Sequence, residues 1–278
     1  MDLSAEEIAS GKLSAEHHTS AIRDLKVLGY TILGGVLSAE KIASLRSEFL
    51  GVLDQSIRRI GDNRGRQRQG GVPLPIEGAF ADPLVLANPL ALEVITALLG
   101  DDITCSYYSS DTAMPGSEYQ PAHRDGNELF PGLPVTLPPY MYEINVPLVD
   151  FREDNGPVEV WPRTHLVSSL ELVDKGGLLR PALEERASDI QRYAEQLRPE
   201  PVLMPAGSLL LRDPRMWHRG SPNRSSEPRP MLAIAYNRPW YRFNAVTLSR
   251  AVFDGWPLNL KELFRLACID GALSREFA

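Results

Sequence analysis

The sequence has little cysteine, and this excludes two classes of protein. Among 278 residues there are only two cysteines, Cys105 and Cys268. Two thiols cannot build a disulfide framework, and no spacing here resembles a zinc–thiolate site. A core of this size does not need such staples, and free thiols are typical of the reducing cytoplasm. We therefore expect an intracellular protein stabilised by packing.

Positive charge and long apolar runs are also scarce. The chain has 29 Lys and Arg against 36 Asp and Glu, a net charge of −7, whereas a nucleic-acid surface needs a basic patch. The acidic N-terminus, MDLSAEEIASGK, does not resemble a signal peptide, and runs such as Leu28–Leu37 are too short to cross a bilayer. We expect a cytoplasmic protein with a small-molecule substrate and neither nucleic-acid nor membrane partners. No pattern defines an oligomeric state.

The first hundred residues have helical patterns. Apolar residues from Ile42 to Ile57 recur at helical spacing behind Ser38, a plausible N-cap. A second helix is predicted over Pro89–Leu99, because Asn88 can cap it and Gly100 can end it. The intervening Gly61–Pro83 lacks periodicity and predicts a long loop, either a lid or a surface excursion.

Short strand-like runs dominate from about Ile103 onwards, and they predict a β-sandwich or barrel. An acidic helical insertion is expected at Leu178–Leu197 and a last short helix at Asn259–Ala267. We predict one domain, mainly β, with a helical part over about 1–100 packed on a β core over about 101–245 and short C-terminal helices. The predicted strands are Ile103–Ser109, Pro121–Asp125, Tyr140–Val149, Pro157–Trp161, Val202–Met204, Ser208–Arg212 and Met231–Asn237.

His123 and Asp125 form the first chemical signal. Residues two apart in a strand share a face, so both side chains can converge on one ion while Arg124 points away. Two histidines and one carboxylate make the triad of non-haem iron oxygenases. The His-x-Asp pattern alone is weak, because it arises often by chance.

His218 is the candidate for the third ligand. It follows the apolar run Gly207–Arg212 and a short turn, near the start of another strand; otherwise it is a core histidine stacked on Trp217. Arg229 follows eleven positions later, where it enters a hydrophobic strand. A buried guanidinium needs an anion, and a dicarboxylate co-substrate would supply one. The alternative for Arg229 is a surface ion pair with Glu227.

These motifs, in this order, resemble those of the phytanoyl-CoA dioxygenase-like iron(II)/2-oxoglutarate oxygenases. The first metal motif is similar to Gly116–Asp125, and the distal-histidine motif is similar to His218–Arg229. Asn155–His165 resembles a third segment of that family, and Gly29-Tyr30 with the following helix also fits the family pattern. The resemblance spans roughly residues 25 to 245. It implies a double-stranded β-helix, a jelly-roll or cupin-like barrel.

The resemblance also implies roles for individual residues. His123, Asp125 and His218 would bind Fe(II), and Arg229 would pair with the distal carboxylate of 2-oxoglutarate. Gln120 occupies the place of a glutamine that touches the co-substrate in some members. His165 would belong to a structural turn, whereas Val158 replaces a threonine that contacts the co-substrate in some relatives.

The implied reaction consumes O2 and 2-oxoglutarate and releases succinate and CO2. Because Asp125 is present where related halogenases have a small residue, hydroxylation is expected, with desaturation, epoxidation or rearrangement still open. The substrate would be a small organic molecule, preferably a secondary metabolite, framed by Gly61–Pro83, Gly126–Pro139 and Trp240–Arg242. Two alternatives are a metal-dependent barrel enzyme that does not use 2-oxoglutarate and a non-catalytic ligand-binding barrel.

Overall fold

The computed structural model describes residues 1–60, 67–126, 129–130, 133, 135–167, 197–241 and 246–273. Its helices are α1 Ala5–Ser10, α2 Ala15–Val27, α3 Ala39–Ile60, α4 Pro83–Leu86, α5 Pro89–Leu99, α6 Arg250–Gly255 and α7 Leu258–Leu263, with 3₁₀ turns at Gly78–Ala81 and Thr164–Leu166. Its strands are β1 Tyr30–Leu33, β2 Arg68–Pro73, β3 Thr104–Ala113, β4 Met141–Pro147, β5 Val158–Val160, β6 Glu200–Pro201, β7 Leu209–Arg212, β8 His218–Gly220, β9 Arg229–Asn237, β10 Thr247–Leu248, β11 Cys268–Ile269 and β12 Ala272–Leu273.

A six-stranded antiparallel sheet, in the order β1-β7-β4-β9-β3-β2, forms the centre of the fold. Side chains alternate between its two faces. One face carries apolar residues such as Tyr142, Ile144 and Leu211, which pack against the helices. The other face carries polar residues at the alternate positions, among them Glu143 and Arg212, and these line a cavity.

A smaller antiparallel sheet, in the order β6-β5-β8, faces the cavity side of the large sheet. One buried cluster joins the two sheets, with Val158 and Val160 from the small sheet and Leu210 and Met231 from the large one. The expected jelly roll is confirmed as two facing sheets. Within the described ranges the strands do not join into a closed barrel.

The helical cover follows the sequence prediction closely. Helix α5 begins after Asn88, whose Oδ1 accepts from Leu90 N and Ala91 N, and it ends at Gly100. Helix α3 covers the stretch predicted behind Ser38, and both helices pack in the same apolar core. None of the helices in the described part of the chain is long and apolar enough to span a membrane.

Three predicted elements are wrong. Val202–Met204 is not a strand, because β6 lies just before it at Glu200–Pro201 and only Met204 makes an isolated bridge, to Phe151. The Gly61–Pro83 segment is not a structureless loop, because β2 occupies Arg68–Pro73 at the sheet edge and a 3₁₀ turn follows. Polar inward residues and a register shift between Gln69 and Val72 hide this strand from a hydrophobic-pattern search. Pro121–Asp125 is not a strand either; only His123 makes a bridge there, to His218.

The C-terminal helix is shorter than predicted, at Leu258–Leu263. The insertion predicted at Leu178–Leu197 falls, up to residue 196, outside the described residues.

Candidate metal centre and its cavity

Backbone pairing brings His123 beside His218. His218 is the first residue of β8, and the two residues exchange backbone hydrogen bonds, His123 N to His218 O and His218 N to His123 O, each 3.0 Å long. Asp125 N then donates to Pro214 O at 3.0 Å. Two segments nearly a hundred residues apart therefore carry the three predicted ligands to one point.

The three side chains form a compact donor set. Their ligand atoms all lie within 4.8 Å of one another. Nε2 of His218 is 3.0 Å from Asp125 Oδ2, and Nε2 of His123 is 3.6 Å from Asp125 Oδ1. In an octahedral site with bonds of about 2.1 Å, adjacent ligand atoms lie about 3 Å apart. The separations fit one small divalent ion.

Both imidazoles are oriented by a carbonyl two residues earlier in the chain. His123 Nδ1 lies 2.8 Å from Pro121 O, and His218 Nδ1 lies 3.0 Å from Met216 O. Each Nδ1 carries the proton in this arrangement, so each Nε2 offers a lone pair to the centre. Histidine ligands of metals are held by second contacts of this kind.

The electrostatics favour a neutral imidazole and an ionised carboxylate. Burial and the Arg212 charge lower the pKa of His218 to about 4. Burial opposes ionisation of Asp125, but His218 and Arg212 hold its pKa well below the ordinary value. These are the protonation states that a divalent metal requires of its ligands.

Arg212 and Glu143 complete the wall behind the ligands, and sequence reasoning missed both. Arg212 Nη2 donates to Asp125 Oδ2 at 2.6 Å and also to Glu143. Burial, with the neighbouring Asp125 and Asp111 carboxylates, raises the pKa of Glu143 to about 8 despite Arg212. The sequence does contain one signal for Arg212. It is a charged residue at the end of the apolar run of β7, and a buried charge there needs a partner for the same reason as Arg229.

Arg229 is buried at the start of β9, only 2% exposed. Nε donates to Gly156 O at 2.9 Å, the guanidinium lies 4.5 Å from the Phe151 ring centroid, and Nη1 is buried without a hydrogen-bond partner in the described structure. The alternative of a surface pair with Glu227 is therefore wrong. Burial and the nearby Arg68 charge lower the pKa of Arg229 to about 9.

Arg68 is a second buried cation in the same cavity, and it lies in the segment predicted to be a loop. Nε and Nη2 donate to Glu118 O, at 3.2 and 3.0 Å, and Nη2 also donates to Ser221 O. Burial lowers its pKa to about 10. Its guanidinium packs over Gly220, where a Cβ would overlap it. No pattern in the Gly- and Gln-rich segment marks this arginine.

The remaining predicted residues separate into two groups. Gln120 lines the cavity, and its Oε1 accepts from Gly220 N at 2.7 Å. Val158 and Thr112 line the cavity too, and Thr112 Oγ1 is buried without a partner among the described residues. His165 lies away from the centre in the Thr164–Leu166 turn, where Nε2 contacts Lys26 O at 3.2 Å.

The cavity has a volume of about 210 Å³ and lies between the two sheets. The three donor residues, Arg68 and Arg229 all line it. His123 and Asp125 are 37% and 31% exposed at the side chain, whereas His218 is 7% exposed, so the cavity opens on the side of the first two. It can hold a metal and a small dianion, and ligand pockets for larger molecules usually exceed about 300 Å³.

Comparison with known proteins agrees with this geometry. Residues 26–231 match the family model described as phytanoyl-CoA dioxygenase. The dioxygenase af480 of Aspergillus fumigatus is 26% identical over 161 residues, which cover 57% of this chain and 45% of that protein. The chain thus spans less than half the length of this curated relative.

Three solved structures have a similar fold at low sequence identity. The non-haem α-ketoglutarate-dependent carbocyclase SnoK from nogalamycin biosynthesis is 18% identical, with a TM-score of 0.57 over 81% of this chain and 84% of its own. The epimerase SnoN of the same biosynthesis is 17% identical, with a TM-score of 0.56 over 81% and 82%. AviO1 from Streptomyces viridochromogenes is 20% identical, with a TM-score of 0.56 over 82% and 97%. These likenesses establish the fold.

Proposed function

The chain belongs to the phytanoyl-CoA dioxygenase family, whose enzymes are non-haem dioxygenases that use Fe(II), 2-oxoglutarate and O2. We therefore propose that it is an iron(II)/2-oxoglutarate-dependent oxygenase. It would oxidise a small organic substrate and release succinate and CO2. The observation that carries the proposal is the donor set of His123, Asp125 and His218 beside a buried, unpaired Arg229.

The donor set suits iron(II). Two neutral imidazoles and one carboxylate on one side of an ion leave positions open opposite them, as in the facial triad of non-haem iron enzymes. In our proposal Nε2 of His123, Nε2 of His218 and one oxygen of Asp125 are the protein ligands. The bound metal and co-substrate supply the oxidising chemistry, and the protein supplies orientation and excludes water.

The two buried arginines suit a dicarboxylate. Arg229 has a buried Nη1 with no partner in the described structure, and Arg68 shares its cavity. Taking a guanidinium out of water is costly unless an anion pairs with it. We assign Arg229 to the distal carboxylate of 2-oxoglutarate and place Arg68 and Gln120 in the wall of the same pocket. A fixed distal carboxylate allows the co-substrate to bind in one orientation.

We place the substrate at the mouth of the cavity, beside a cluster of aromatic residues. Tyr140 packs against Tyr241 with ring centroids 4.3 Å apart, and Trp240 beside them is 61% exposed. Tyr107 lines the cavity and packs on this cluster, so the aromatic residues extend from the cavity edge. Arg242, which the sequence placed here, lies outside the described residues.

This mouth favours an apolar, ring-bearing molecule of secondary metabolism, which hydroxylation, desaturation or rearrangement would modify. Phe130 and Val135, at 62% and 59% exposed, add apolar surface to the segment that follows Asp125. SnoK and SnoN act in nogalamycin biosynthesis, which agrees with such a substrate class. Exposed aromatic groups near a pocket commonly serve recognition.

The test is succinate formation from 2-oxoglutarate with Fe(II), O2 and a panel of polycyclic and other apolar metabolites. The proposal predicts succinate only when iron and 2-oxoglutarate are both present, and its loss in His218→Ala. Substrate oxidation that consumes O2 equally without 2-oxoglutarate would favour the metal-dependent enzyme that lacks this co-substrate. Full iron binding by His218→Ala would contradict the ligand assignment.

A further inference from the structure

Arg212 is buried in the cavity wall directly behind the proposed ligands, with only 5% of its side chain exposed. We propose that Arg212 is a positioning residue, which holds one oxygen of Asp125 so that the other is presented to the metal. The inference rests on the proposed function, because it concerns the same metal site. It goes further in assigning how the single carboxylate ligand is kept in one orientation.

The contacts of the guanidinium carry the inference. Nη2 donates to Asp125 Oδ2 at 2.6 Å and to Glu143, while Nε donates to Asn145 Oδ1 at 3.0 Å. These contacts come from β4 and from the segment that carries Asp125. The guanidinium is therefore fixed on one side by the sheet and contacts the proposed ligand on the other.

The arrangement leaves the two oxygens of Asp125 in different environments. Oδ2 accepts from Arg212 at 2.6 Å and lies 3.0 Å from His218 Nε2, whereas Oδ1 lies 3.6 Å from His123 Nε2. A carboxylate with one oxygen held by a guanidinium binds a metal most readily through the other. Single-oxygen binding leaves more positions of the ion open to small molecules than binding through both oxygens.

Glu143 explains why Arg212 does not compete with the metal for Asp125. An arginine with one carboxylate partner commonly forms a bidentate pair, which would occupy both oxygens. Here Glu143, whose side chain is 7% exposed, accepts a hydrogen bond from the same guanidinium. Because Nη2 is shared between Glu143 and Asp125 and Nε donates to Asn145, Arg212 does not engage both oxygens of Asp125.

The geometry of the contacts requires arginine. Nε and Nη2 point to different partners in one plane, which a planar guanidinium can satisfy and a lysine ammonium cannot. His218 Nδ1 is 3.4 Å from Nη1 but already contacts Met216 O. Arg212 therefore holds Asp125 by a short hydrogen bond, whereas its contact with His218 is longer, at 3.4 Å.

Metal titration of the apoprotein tests this without relying on turnover. Co(II) is added to wild type and to the double variant Arg212→Met, Glu143→Met, which removes both buried charges together. Binding is followed by calorimetry and by visible absorption, which reports coordination number. Loss of a residue that orients a metal ligand typically lowers affinity about 10- to 100-fold, and we expect this loss together with a changed spectrum.

A matched control removes another Arg–Glu pair close to the site. Arg219 Nε lies 2.7 Å from Glu159 Oε2, and this ion pair does not involve any of the three ligand side chains. The double variant Arg219→Met, Glu159→Met should keep the Co(II) affinity and spectrum of wild type. Arg212→Lys should restore part of the affinity but not the wild-type spectrum.

The outcomes separate this inference from the proposed function. If His218→Ala abolishes Co(II) binding while the Arg212, Glu143 double variant binds with wild-type affinity and spectrum, Arg212 has no positioning role. If His218→Ala also binds as wild type, the metal site itself is misassigned. Melting curves of the apoproteins show which variants fold. Should the double variant not fold, an unchanged Arg212→Lys would overturn the inference.

Discussion

Arg229 and Arg68 are buried cations in one cavity, and neither has a carboxylate within hydrogen-bond distance among the described residues. Asp111 lowers the cost of burying them, since its charge acts on both, but its Oδ1 accepts from Gly71 N instead. An anion that enters the cavity can pair with the two guanidinium groups, which the fold leaves without a hydrogen-bonded carboxylate. At the scale of single residues, these two arginines lower the stability of the protein and provide a binding site for an anion.

Replacing Arg229 by Met should therefore stabilise the metal-free protein while it removes co-substrate binding. Replacing a buried ion pair by apolar residues of similar volume is often neutral or stabilising by about 1–4 kcal/mol. A gain of this order is expected here, because a buried guanidinium without a hydrogen-bonded anion is costly and Arg229 has no such partner among the described residues. Denaturant unfolding of the metal-free protein measures the gain. Succinate, which has two carboxylates, should raise the melting temperature of wild type and not of Arg229→Met. A less stable variant would mean that the fold already supplies the missing anion.

Gly220 leaves space for the Arg68 guanidinium. A Cβ at this position would overlap that group and lie 2.8 Å from Gln120 Oε1. Gly220→Ala should therefore raise the KM for 2-oxoglutarate and destabilise the protein by about 1–3 kcal/mol through overpacking, with metal affinity retained. Steady-state kinetics and calorimetry measure the two effects.

Gly255 provides the control for that substitution. It lies at the end of α6, and a Cβ there would meet no atom within 4 Å. Gly255→Ala should leave the KM for 2-oxoglutarate unchanged. An equal rise of KM in both variants would show that the effect at Gly220 does not come from the arginine.

At the scale of elements, the helices were predictable because their signals are local. Asn88, Pro89 and Gly100 define both ends of α5 through capping chemistry that acts within one turn. Strand β2 was not predictable, because its inward residues are polar and its partner β3 lies beyond the next helices.

His123 and Asp125 were found through a strand that does not form. Their convergence depends on pairing with His218 and on Pro214 O, which local sequence cannot reveal.

The cap of α5 offers a direct test at this scale. Asn88 Oδ1 accepts from two backbone N–H groups, and Nδ2 donates to Leu84 O. Asn88→Ala should lower the free energy of unfolding by about 0.5–2 kcal/mol, whereas Asn88→Asp keeps the acceptor and should lose less. Chemical denaturation measures both. Equal losses would place the contribution in the bond to Leu84 rather than in the cap.

At the scale of the whole molecule, the fold separates packing from chemistry. The large sheet turns its apolar face to the helices and its polar face to the small sheet. The proposed metal ligands, the arginines and Glu143 all lie in the gap between sheets. Sequence motifs predict the proposed ligands and Arg229, because their order and spacing resemble one family. They do not reveal Arg68 or the contact between Arg212 and Glu143, because that contact depends on the pairing of β7 with β4, and Arg68 reaches the cavity through the pairing of β2 with β3.

Binding of 2-oxoglutarate to the metal-loaded protein tests the central claim most directly. Calorimetry under anaerobic conditions with Fe(II) compares wild type, His218→Ala and Arg229→Met, each with and without metal. We expect tight binding by metal-loaded wild type only, with affinity at least about 30-fold weaker in either variant, since a buried charge pair contributes about 2 kcal/mol or more. Equal affinity with and without metal, or in Arg229→Met, would contradict it.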